Sequence, residues 1–497
     1  MKTSLDKINL IEKEIKIEEF NYKGINIWPL YRFYIHNKIE KRITKDLNKF
    51  SYNFSKILLA ISSFVGIFKV LFLISKNSKA KIVFLSNTSF KRFKKNGKWV
   101  DPYVHPIAEY LLSSNKSFKI LELDLLNEKK DLSYIDSINI QKFVNFFYAV
   151  FAMIFMIQTW IVILFYRNHS FSDQVRIAIK NNNLGIEIPD DKFFIKQLSN
   201  LRAKALIYKF ILKKLNTKFG IIIGYGSQDG LSFCLACSLL NIKSIELQHG
   251  VISEEMPRYG KWVEVPVSGY QMLPNLFWCW SRSDYDFISK WANKTYFHDV
   301  IMGGNLFLSR YKDFLDDESK KIIKEFKEKT RAYDKVVLVA LQDKKWEPSW
   351  LLKTLTHMSP KIFWAFRFHP ADHNKDKRKK DIYKAFHQKG LKNFDVELLN
   401  NSSMNIQASI YVSHAVVSSF SSSLLESTIL GKESAVISDE GITHYRDYIN
   451  KNLIKIATTQ NSFTSFIDNI DLKNKSLAQP KQNDMENIFE MMEKIFK

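Results

Sequence analysis

The chain has 497 residues, and its formal net charge of +23 comes from 74 Lys and Arg residues against 51 Asp and Glu residues. This length is too great for one ordinary hydrophobic core and predicts two domains with some additional helical material. Three cysteines in so long a chain exclude a disulfide framework and indicate a reducing compartment. The excess of positive charge favours an anionic partner such as an acidic membrane face or a phosphorylated substrate. Nucleic acid is not expected, because no zinc-finger spacing and no RNA-binding signature appears.

The first 80 residues are predicted to form a helical segment. Its opening stretch, MKTSLDKINLIEKEIKIEEF, is charged throughout and lacks the pattern of a signal peptide. Residues 57–75 form an apolar stretch in which Lys69 is the one charged residue. Residues 143–166 form a second apolar stretch, which carries no charge and is long enough to span a bilayer.

The two apolar stretches flank a predicted strand, KAKIVFLSNTS, which begins a domain that continues after residue 166. A single membrane crossing would therefore split that domain. Basic residues lie on both sides of each stretch, so neither side is marked as translocated. We expect helices that pack on the domain and dip into an anionic cytoplasmic leaflet. True membrane spans and a fully buried core helix are the alternatives.

From residue 81 onward, short apolar runs bounded by turn signals alternate with amphipathic stretches. This alternation predicts an α/β fold with parallel sheets. A charged helical stretch interrupts the pattern and places a domain boundary between Gly304 and Tyr333. We expect one Rossmann-like domain at 81–315 and a second at 330–497, facing each other across a cleft. In such folds the functional loops follow the carboxyl ends of the strands.

Polar side chains follow two predicted strands of the first domain. Asp229 opens a predicted helix after one strand, and Gln248 and His249 end the next. An imidazole titrates near neutral pH, so His249 can accept the proton of an attacking hydroxyl, and Asp229 can act as that base or orient the imidazole. In the following loop, Glu254 and Arg258, together with Gln248, are candidates for binding acceptor hydroxyls. The alternative is a histidine that only ends the strand.

The same stretch imitates a dinucleotide-binding fingerprint. Gly224 and Gly226 follow a strand, and Glu246 lies about twenty residues further on. The third glycine, Gly230, is one position late, and Asp229 stands where a small residue is expected. The pattern therefore argues against a nicotinamide enzyme.

A serine cluster, in VVSSFSSSLLESTILGK, follows a predicted strand of the second domain. A helix that begins at such a cluster offers unpaired N–H groups and hydroxyls to a phosphate. We expect Ser421, Ser422 and Ser423 to bind phosphate, and Glu426, about one turn later, to reach a ribose diol. The alternative is an ordinary helix cap, which needs only one serine.

Two further strand ends of the second domain carry basic residues. In WAFRFHP, Arg367 and His369 are two residues apart and therefore share one face of the strand. We expect Arg367 to bind phosphate and His369 to donate a hydrogen bond or a proton to a phosphate leaving group. In ALQDKKW, Lys344 can neutralise phosphate.

The order of Asp229-Gly230, His369-Pro370 and Ser422-Ser423 resembles that of short motifs in bacterial sialyltransferases and related GT-B glycosyltransferases of capsule and lipopolysaccharide synthesis. These relatives include Kdo transferases and, more distantly, the glycerophosphotransferases of teichoic acid synthesis. The resemblance covers roughly residues 81–447. It implies a catalytic base at Asp229, a histidine that serves the nucleotide phosphate at His369, and a hydroxyl pair that holds this phosphate. One departure is Gln228, which stands where the family pattern has an acid.

The sequence thus predicts a GT-B glycosyltransferase that moves a sugar from a nucleotide-sugar donor to a lipid-linked or polymeric acceptor. We expect it at the cytoplasmic face of the bacterial inner membrane, bound to the anionic membrane surface. No metal-binding motif appears, so we expect a metal-independent, inverting reaction without a cofactor. The alternatives are a glycerophosphotransferase, a sugar-nucleotide epimerase, and a non-catalytic scaffold that binds polysaccharide.

Overall fold

The computed structural model describes residues 3–40, 70–72, 79–124, 132–151, 171–342, 347–369 and 372–471, with residues 490 and 494. The chain divides into two compact units. Unit 1 comprises Met1–Phe90, Ile107–Lys129 and Asp136–Gly304. Unit 2 comprises Lys91–Pro106, Lys130–Ile135 and Asn305–Lys497.

Seventeen strands are described. In chain order they are β1 (Asn21–Tyr22), β2 (Ile25–Asn26), β3 (Ile82–Asn87), β4 (Phe93–Lys95), β5 (Lys98–Val100), β6 (Phe118–Leu123), β7 (Ile138–Asn139), β8 (Phe219–Ile223), β9 (Lys243–Leu247), β10 (Leu276–Cys279), β11 (Asp299–Met302), β12 (Lys335–Ala340), β13 (Ile362–Arg367), β14 (Phe394–Asp395), β15 (Ala415–Ser418), β16 (Glu433–Val436) and β17 (Lys455–Ile456).

The helices in the described ranges begin and end as follows. They are α1 (Ser4–Glu12), α2 (Trp28–Ile39), α3 (His105–Ser113), α4 (Phe171–Asn181), α5 (Asp191–Lys214), α6 (Gln228–Ser238), α7 (Arg282–Ala292), α8 (Leu306–Arg310), α9 (Asp317–Thr330), α10 (Leu351–Leu355), α11 (Lys375–His387), α12 (Ile406–Tyr411), α13 (Ser423–Ile429), α14 (Asp439–His444), α15 (Arg446–Asn450) and α16 (Gln460–Asp468). Residues 141–151 are also helical, and short 3₁₀ turns occur at Ile17–Glu19, Thr88–Phe90, Tyr311–Phe314 and Leu398–Asn400.

Each unit is built on a parallel sheet. In unit 1 seven strands lie in the order β11-β10-β9-β8-β3-β6-β7, and in unit 2 six strands lie in the order β14-β13-β12-β15-β16-β17. Every described pairing within these two sheets is parallel. The central strands are almost wholly apolar and buried, as expected where both faces of a sheet are covered. The prediction of two Rossmann-like α/β domains is confirmed, and the predicted cleft between them stays a prediction.

The order of the strands reverses once in each sheet. In unit 1, β6 and β7 extend from one side of β3, whereas β8 to β11 extend from the other. In unit 2, β13 and β14 extend from one side of β12, and β15 to β17 from the other. Ligands of such sheets bind outside the carboxyl ends of the strands at this switch point. The two expected ligand positions are therefore the β3/β8 edge of unit 1 and the β12/β15 edge of unit 2.

Unit 2 includes two segments that the predicted boundaries assign to the first domain, 91–106 and 130–135. The antiparallel hairpin β4–β5 belongs to the first of them. The backbone N–H of Lys94 donates to the carbonyl of Ser402 over 2.8 Å, and that of Asn96 to Oδ2 of Asp316 over 2.8 Å. These bonds join residues more than 200 positions apart, which composition and periodicity cannot reveal.

The predicted membrane-associating stretches are described only in part. Phe143 and Val144 are 1% and 0% exposed and belong to the core of unit 1, and Phe147 and Phe151 pack against that core. Residues 152–166 and 57–69 lie outside the described residues. Within the ranges that are described, no helix has the length and apolar character needed to cross a membrane.

Candidate functional site

His249 lies at the switch point of unit 1. Gly224 directly follows β8, and a Cβ atom there would lie 3.2 Å from Cε1 of His249. Phe90, which follows β3, has its ring centroid 5.5 Å from that of the imidazole. The imidazole thus stands beside the carboxyl ends of both strands that flank the switch point, and it is partly exposed. Gly224 has φ +68°, so this turn requires glycine both for its backbone and for the close approach of His249.

Gln248 is buried beneath the strand ends, with 3% of its surface exposed. Its Nε2 donates to the carbonyl of Gly250 over 2.8 Å and to Oδ2 of Asp284 over 3.1 Å. Its Oε1 accepts from the N–H of Trp280 over 2.6 Å. These bonds join the end of β9 to the end of β10 and to the first turn of α7. Both the nitrogen and the oxygen of the Gln248 amide therefore have hydrogen-bond partners within the fold. Acceptor binding by Gln248 stays a prediction.

Asp229 is held in a buried ion pair. Both of its carboxylate oxygens accept from Nζ of Lys204 over 2.9 Å, and Oδ1 accepts from the hydroxyl of Tyr208 over 2.8 Å. Lys204 and Tyr208 lie on α5, so the three residues join the first turn of α6 to that helix. The sequence did not indicate this pairing, because the partners are more than twenty positions away. A role for Asp229 as the catalytic base stays a prediction.

The loop after β9 brings Arg258 to the switch point. Nη2 of Arg258 donates to the carbonyl of Gly226 over 3.2 Å, and a Cβ atom on Gly226 would lie 1.8 Å from Nε of Arg258. The hydroxyl of Tyr225 donates to the backbone carbonyl of Arg258 over 2.6 Å. Glu254, in contrast, forms an ion pair with Lys290 of α7 over 2.9 Å. Of the two predicted acceptor-binding residues in this loop, Arg258 is the one that lies against the Gly224–Gly226 turn.

Glu246 is a buried acid next to this turn that the sequence analysis did not select as a functional residue. It is 2% exposed, and its Oε1 accepts from the hydroxyl of Tyr259 over 2.7 Å and from the N–H of Tyr225 over 3.2 Å. Burial raises the pKa of Glu246 to about 8, although both hydrogen bonds and the charge of Arg258 oppose the rise. Glu246 therefore links the turn after β8 to the loop that carries Arg258.

Glu246→Gln is expected to make the protein more stable than wild type at pH 8–9. The folded state holds a proton on Glu246 that the unfolded state releases near pH 4.5, so wild-type stability falls as the pH rises from about 4.5 to about 8. The amide cannot ionise, and its oxygen can accept both hydrogen bonds. We expect a gain of about 3–4 kcal/mol at pH 8 and under about 1 kcal/mol at pH 5. Urea unfolding of the wild type and the variant from pH 5 to pH 9 measures the two free energies of unfolding. If the variant differed from the wild type by the same free energy at every pH, the prediction would be wrong.

Unit 2 carries its serine cluster at its own switch point, after β15. Oγ of Ser418 donates to the carbonyl of Ala340 over 2.6 Å and so ties the end of β15 to the end of β12. Oγ of Ser422 donates to Oε1 of Glu426 over 3.2 Å. Ser423 begins α13, and its buried Oγ has no hydrogen-bond partner among the residues that are described. The cluster therefore supplies hydroxyls where a ligand of this sheet is expected.

Glu426 is buried beside these hydroxyls, with 4% of its surface exposed. Burial raises the pKa of Glu426 to about 7, opposed by hydrogen bonds from Gln407 and Ser422 and by the positive charges of Arg92 and Arg367. Because Gln407 and Ser422 already donate to the carboxylate, a contact between Glu426 and a ribose diol stays a prediction.

The hairpin segment 91–106 brings two residues to Glu426 that sequence reasoning missed. Arg92 interacts with Glu426 and with Tyr103, and burial raises the pKa of Tyr103 to about 12. Arg92 belongs to the run KRFKKNGK, one of the basic stretches that lie beside the two apolar stretches. The sequence alone does not indicate that this segment folds into unit 2, and so it does not place Arg92 and Tyr103 near Glu426.

Arg367 and His369 lie at the end of β13, on the far side of β12 from the serines. The Arg367 guanidinium donates to the carbonyl of Leu399, to Oγ of Ser409 over 3.0 Å and to the carbonyl of Met404 over 2.9 Å. Burial lowers the pKa of Arg367 to about 10. The guanidinium of Arg367 therefore already has hydrogen-bond partners within unit 2. Phosphate binding by Arg367 stays a prediction. His369 is partly exposed, and Lys344 lies outside the described residues.

No protein-family model and no curated protein matches the sequence. Among solved structures, the UDP-GlcNAc 2-epimerase from Neisseria meningitidis, bound to UDP-GlcNAc, is similar with a TM-score of 0.50 and 13% identity, over 83% of this chain and 99% of that chain. The UDP-GlcNAc 2-epimerase from Methanocaldococcus jannaschii is similar with a TM-score of 0.50 and 11% identity, over the same shares of the two chains. At such identities the likeness establishes a shared fold and leaves the reaction open. The chain therefore has the fold of these epimerases.

Proposed function

We propose that the chain is a GT-B glycosyltransferase that moves a sugar from a nucleotide-sugar donor to a lipid-linked or polymeric acceptor of a bacterial surface polysaccharide. One observation carries the proposal. Each parallel sheet has chemically active side chains at its switch point: His249 in unit 1, and the serine cluster with Glu426 and Arg92 in unit 2. A protein that used the fold only as a scaffold would not need polar groups at both of these positions.

The proposed roles follow from the chemistry of each set. In unit 1, His249 accepts the proton of the acceptor hydroxyl as that hydroxyl attacks the anomeric carbon. In unit 2, the Ser422 hydroxyl turns from Glu426 to donate to the donor phosphate, Ser423 donates a second hydrogen bond, and Arg92 adds positive charge beside them. His369 stabilises the leaving phosphate. The motif resemblance supports the roles of His369 and of the serine pair.

The reaction is proposed to invert the anomeric carbon and to need no metal ion, since protein side chains take up the charge of the leaving group. A base and a leaving group on opposite faces of the sugar ring produce inversion in a single displacement. NMR of the product measures its anomeric configuration, and a transfer assay with and without EDTA tests the metal dependence. Retention of configuration would contradict the proposed roles.

We expect one nucleotide to protect the protein against thermal unfolding. A ligand that binds only the folded state at 100 times its Kd adds about 2.7 kcal/mol of stability. The measurement is the Tm with CMP, UDP, GDP and CDP in turn, and the motif resemblance favours CMP. Arg92→Gln and Ser422→Ala should weaken the protection, whereas Lys380→Gln, which changes an exposed lysine of α11, should leave it intact. If none of the four nucleotides raises the Tm, the scaffold alternative becomes the better account.

The proposed location is the cytoplasmic face of the bacterial inner membrane. The net charge of +23 supports attraction to an anionic surface, and the apolar composition of residues 57–69 and 152–166 supports insertion into it. Residues 143–151 pack in and against the core of unit 1 and do not contribute to this argument. Cell fractionation followed by a high-salt wash tests this. Recovery of all the protein in the soluble fraction at low salt would contradict it.

A sugar-nucleotide epimerase is the second candidate, because solved structures of UDP-GlcNAc 2-epimerases have this fold. Such an enzyme would change its nucleotide sugar without any acceptor. Incubating the purified protein with candidate nucleotide sugars alone separates the two proposals. A new epimer would support the epimerase, and product that forms only when an acceptor is added would support the transferase.

A further inference from the structure

One edge of the sheet in unit 1 is lined by exposed lysines. Three turns lead into the amino ends of the neighbouring strands β3, β8 and β9, and they comprise residues 79–81, 213–218 and 238–243. These turns contain no acid. They carry six exposed lysines, which are Lys79, Lys81, Lys213, Lys214, Lys218 and Lys243. Positive charge is therefore concentrated at the edge opposite His249, which follows the carboxyl end of β9.

Backbone contacts bring the three turns together. The N–H of Lys218 donates to the carbonyl of Lys81 over 2.8 Å, and Phe219 pairs with Lys243 in the parallel ladder. Adjacent strands lie about 4.8 Å apart, so the turns lie side by side along the edge. Within the described ranges no ion pair involves any of the six lysines, and Lys214 lies 5.9 Å from the centroid of the exposed Phe210 ring. Their charge is thus available to an external anion.

Exposed apolar side chains share this edge. Tyr296 is fully exposed, and Val267 lies exposed beside it, since Oγ1 of Thr295 donates to the carbonyl of Val267 over 2.9 Å. Three further exposed apolar side chains lie near the ends of the helices that lead into β6, β8 and β9, and they are Leu112, Phe210 and Leu239. Single exposed apolar residues are ordinary, but five of them along one edge indicate a contact surface.

The loop that carries Tyr296 continues the row of lysines. It precedes β11, which lies two strands from β9. Asn275, in the turn before β10, joins the two strands: its Oδ1 accepts from the N–H of Ser244 over 3.0 Å, and its carbonyl accepts from the N–H of Asp299 over 2.7 Å. Ser244 directly follows Lys243, and Asp299 is three residues after Tyr296. The lysines and the exposed tyrosine therefore belong to one continuous edge.

We propose that this edge docks on an anionic phospholipid membrane. It comprises residues 79–81, 213–218 and 238–243 with Val267 and Tyr296, and is here termed the basic edge. Anionic headgroups attract lysines next to a membrane, and tyrosine and aliphatic side chains partition into the headgroup region. A soluble polyanion would need the charges alone, so the exposed apolar side chains favour lipid. The inference rests on the proposed membrane location and specifies the face of the protein that makes the contact.

Docking by the basic edge fixes where His249 stands relative to the membrane. His249 follows the carboxyl end of β9, and the five residues of β9 span about 16 Å. The acceptor hydroxyl must therefore extend about this far from the headgroups. Of the two proposed acceptors, this orientation favours a polymeric one over a lipid-linked sugar that lies at the surface.

Sedimentation with vesicles of phosphatidylcholine and phosphatidylglycerol tests the lysines, at the lipid concentration that binds half of the full-length wild type. Lys213→Gln with Lys214→Gln should weaken binding about 25-fold, since each lysine near such a surface contributes about fivefold. The matched control is Lys192→Gln with Lys196→Gln, which removes two exposed lysines about 30 Å away near the other end of α5. It should bind within about twofold of the wild type, because that distance exceeds the Debye length.

Fluorescence tests whether the apolar side chains enter the lipid. The three native cysteines are buried, so Tyr296→Cys introduces one accessible thiol for an environment-sensitive dye. On vesicles the dye should shift its emission to the blue, because it leaves water for the headgroup region. Met302→Cys is the control, since Met302 is exposed at the opposite end of β11 and its dye should keep the emission that it has in water.

Each outcome decides for or against the basic edge. If Lys213→Gln with Lys214→Gln binds no more weakly than the control pair, the proposal is overturned. Weaker binding without a blue shift at position 296 would indicate a soluble polyanion and also overturn it. If the wild type does not sediment with the vesicles, both the basic edge and the proposed membrane location are wrong. Nucleotide protection is measured without vesicles and should persist in the lysine variant, so failure here leaves the proposed glycosyl transfer standing.

Discussion

Arg32→Ala is expected to lower the free energy of unfolding by about 3–5 kcal/mol. Arg32 and Glu12 form an ion pair in which both side chains are 0% exposed. Removing the guanidinium leaves the Glu12 carboxylate buried with no cation bonded to it. The desolvation of that charge is the main cost, and the loss of packing against Trp262, whose ring lies 4.2 Å from the guanidinium, adds to it.

The effect should extend to the loop that carries Arg258. Nε of Arg32 donates to the carbonyl of Pro257 over 3.0 Å, and Nη2 to that of Gly260 over 2.6 Å. Oε2 of Glu12 accepts from the N–H of Val263 over 2.9 Å. The pair therefore holds residues 257–263 between the first two helices of the chain. We expect faster amide hydrogen exchange across this loop in the variant, beyond what the global loss of stability causes.

Urea unfolding at pH 7 measures the stability loss, and Arg176→Ala is its control. Arg176 pairs with Asp173 across one turn of α4, and both side chains are largely exposed, so its removal should cost under about 0.5 kcal/mol. A loss for Arg32→Ala no larger than for this control would show that the buried pair does not support the fold. Replacing both partners, as Arg32→Met with Glu12→Gln, should recover part of the loss.

The strands were predictable because their signal is local. Runs such as KIVFLS, FGIIIGYG and KVVLVAL are almost wholly apolar, end in turn residues and correspond to β3, β8 and β12. A strand that is buried on both faces is apolar at nearly every position, so it appears in the sequence as a short continuous apolar run bounded by turn residues. The positions of His249 and of the serine cluster at strand ends followed from the same signal.

The contacts that decide each side chain's role were not predictable, because they join residues distant in sequence. Asp229 was selected for its place at a strand end, yet Lys204 and Tyr208 on α5 hold its carboxylate. Arg367 was selected likewise, and carbonyls more than thirty residues away accept from its guanidinium. Arg92 was overlooked, since nothing local indicates that its hairpin folds into unit 2.

His249→Ala is expected to reduce the rate of glycosyl transfer by about 10²–10⁴-fold, the usual contribution of a general base. The imidazole stands beside Gly224 and Phe90 at the switch point of unit 1, and histidine is the side chain that most often acts as a general base. The loss should therefore appear in kcat, because the proton moves in the transition state. A transfer assay with the nucleotide sugar identified by thermal protection measures it.

The control is His357→Ala, which removes an exposed histidine just after α10 and should transfer sugar at the wild-type rate. Nucleotide protection should persist in His249→Ala, because the proposed phosphate-binding residues all belong to unit 2. Loss of protection together with activity would indicate a folding defect rather than a missing base. Full activity in His249→Ala would exclude the imidazole as the base and leave Asp229 as the remaining candidate. The variant to assay would then be Asp229→Asn, which keeps the hydrogen bond from Tyr208.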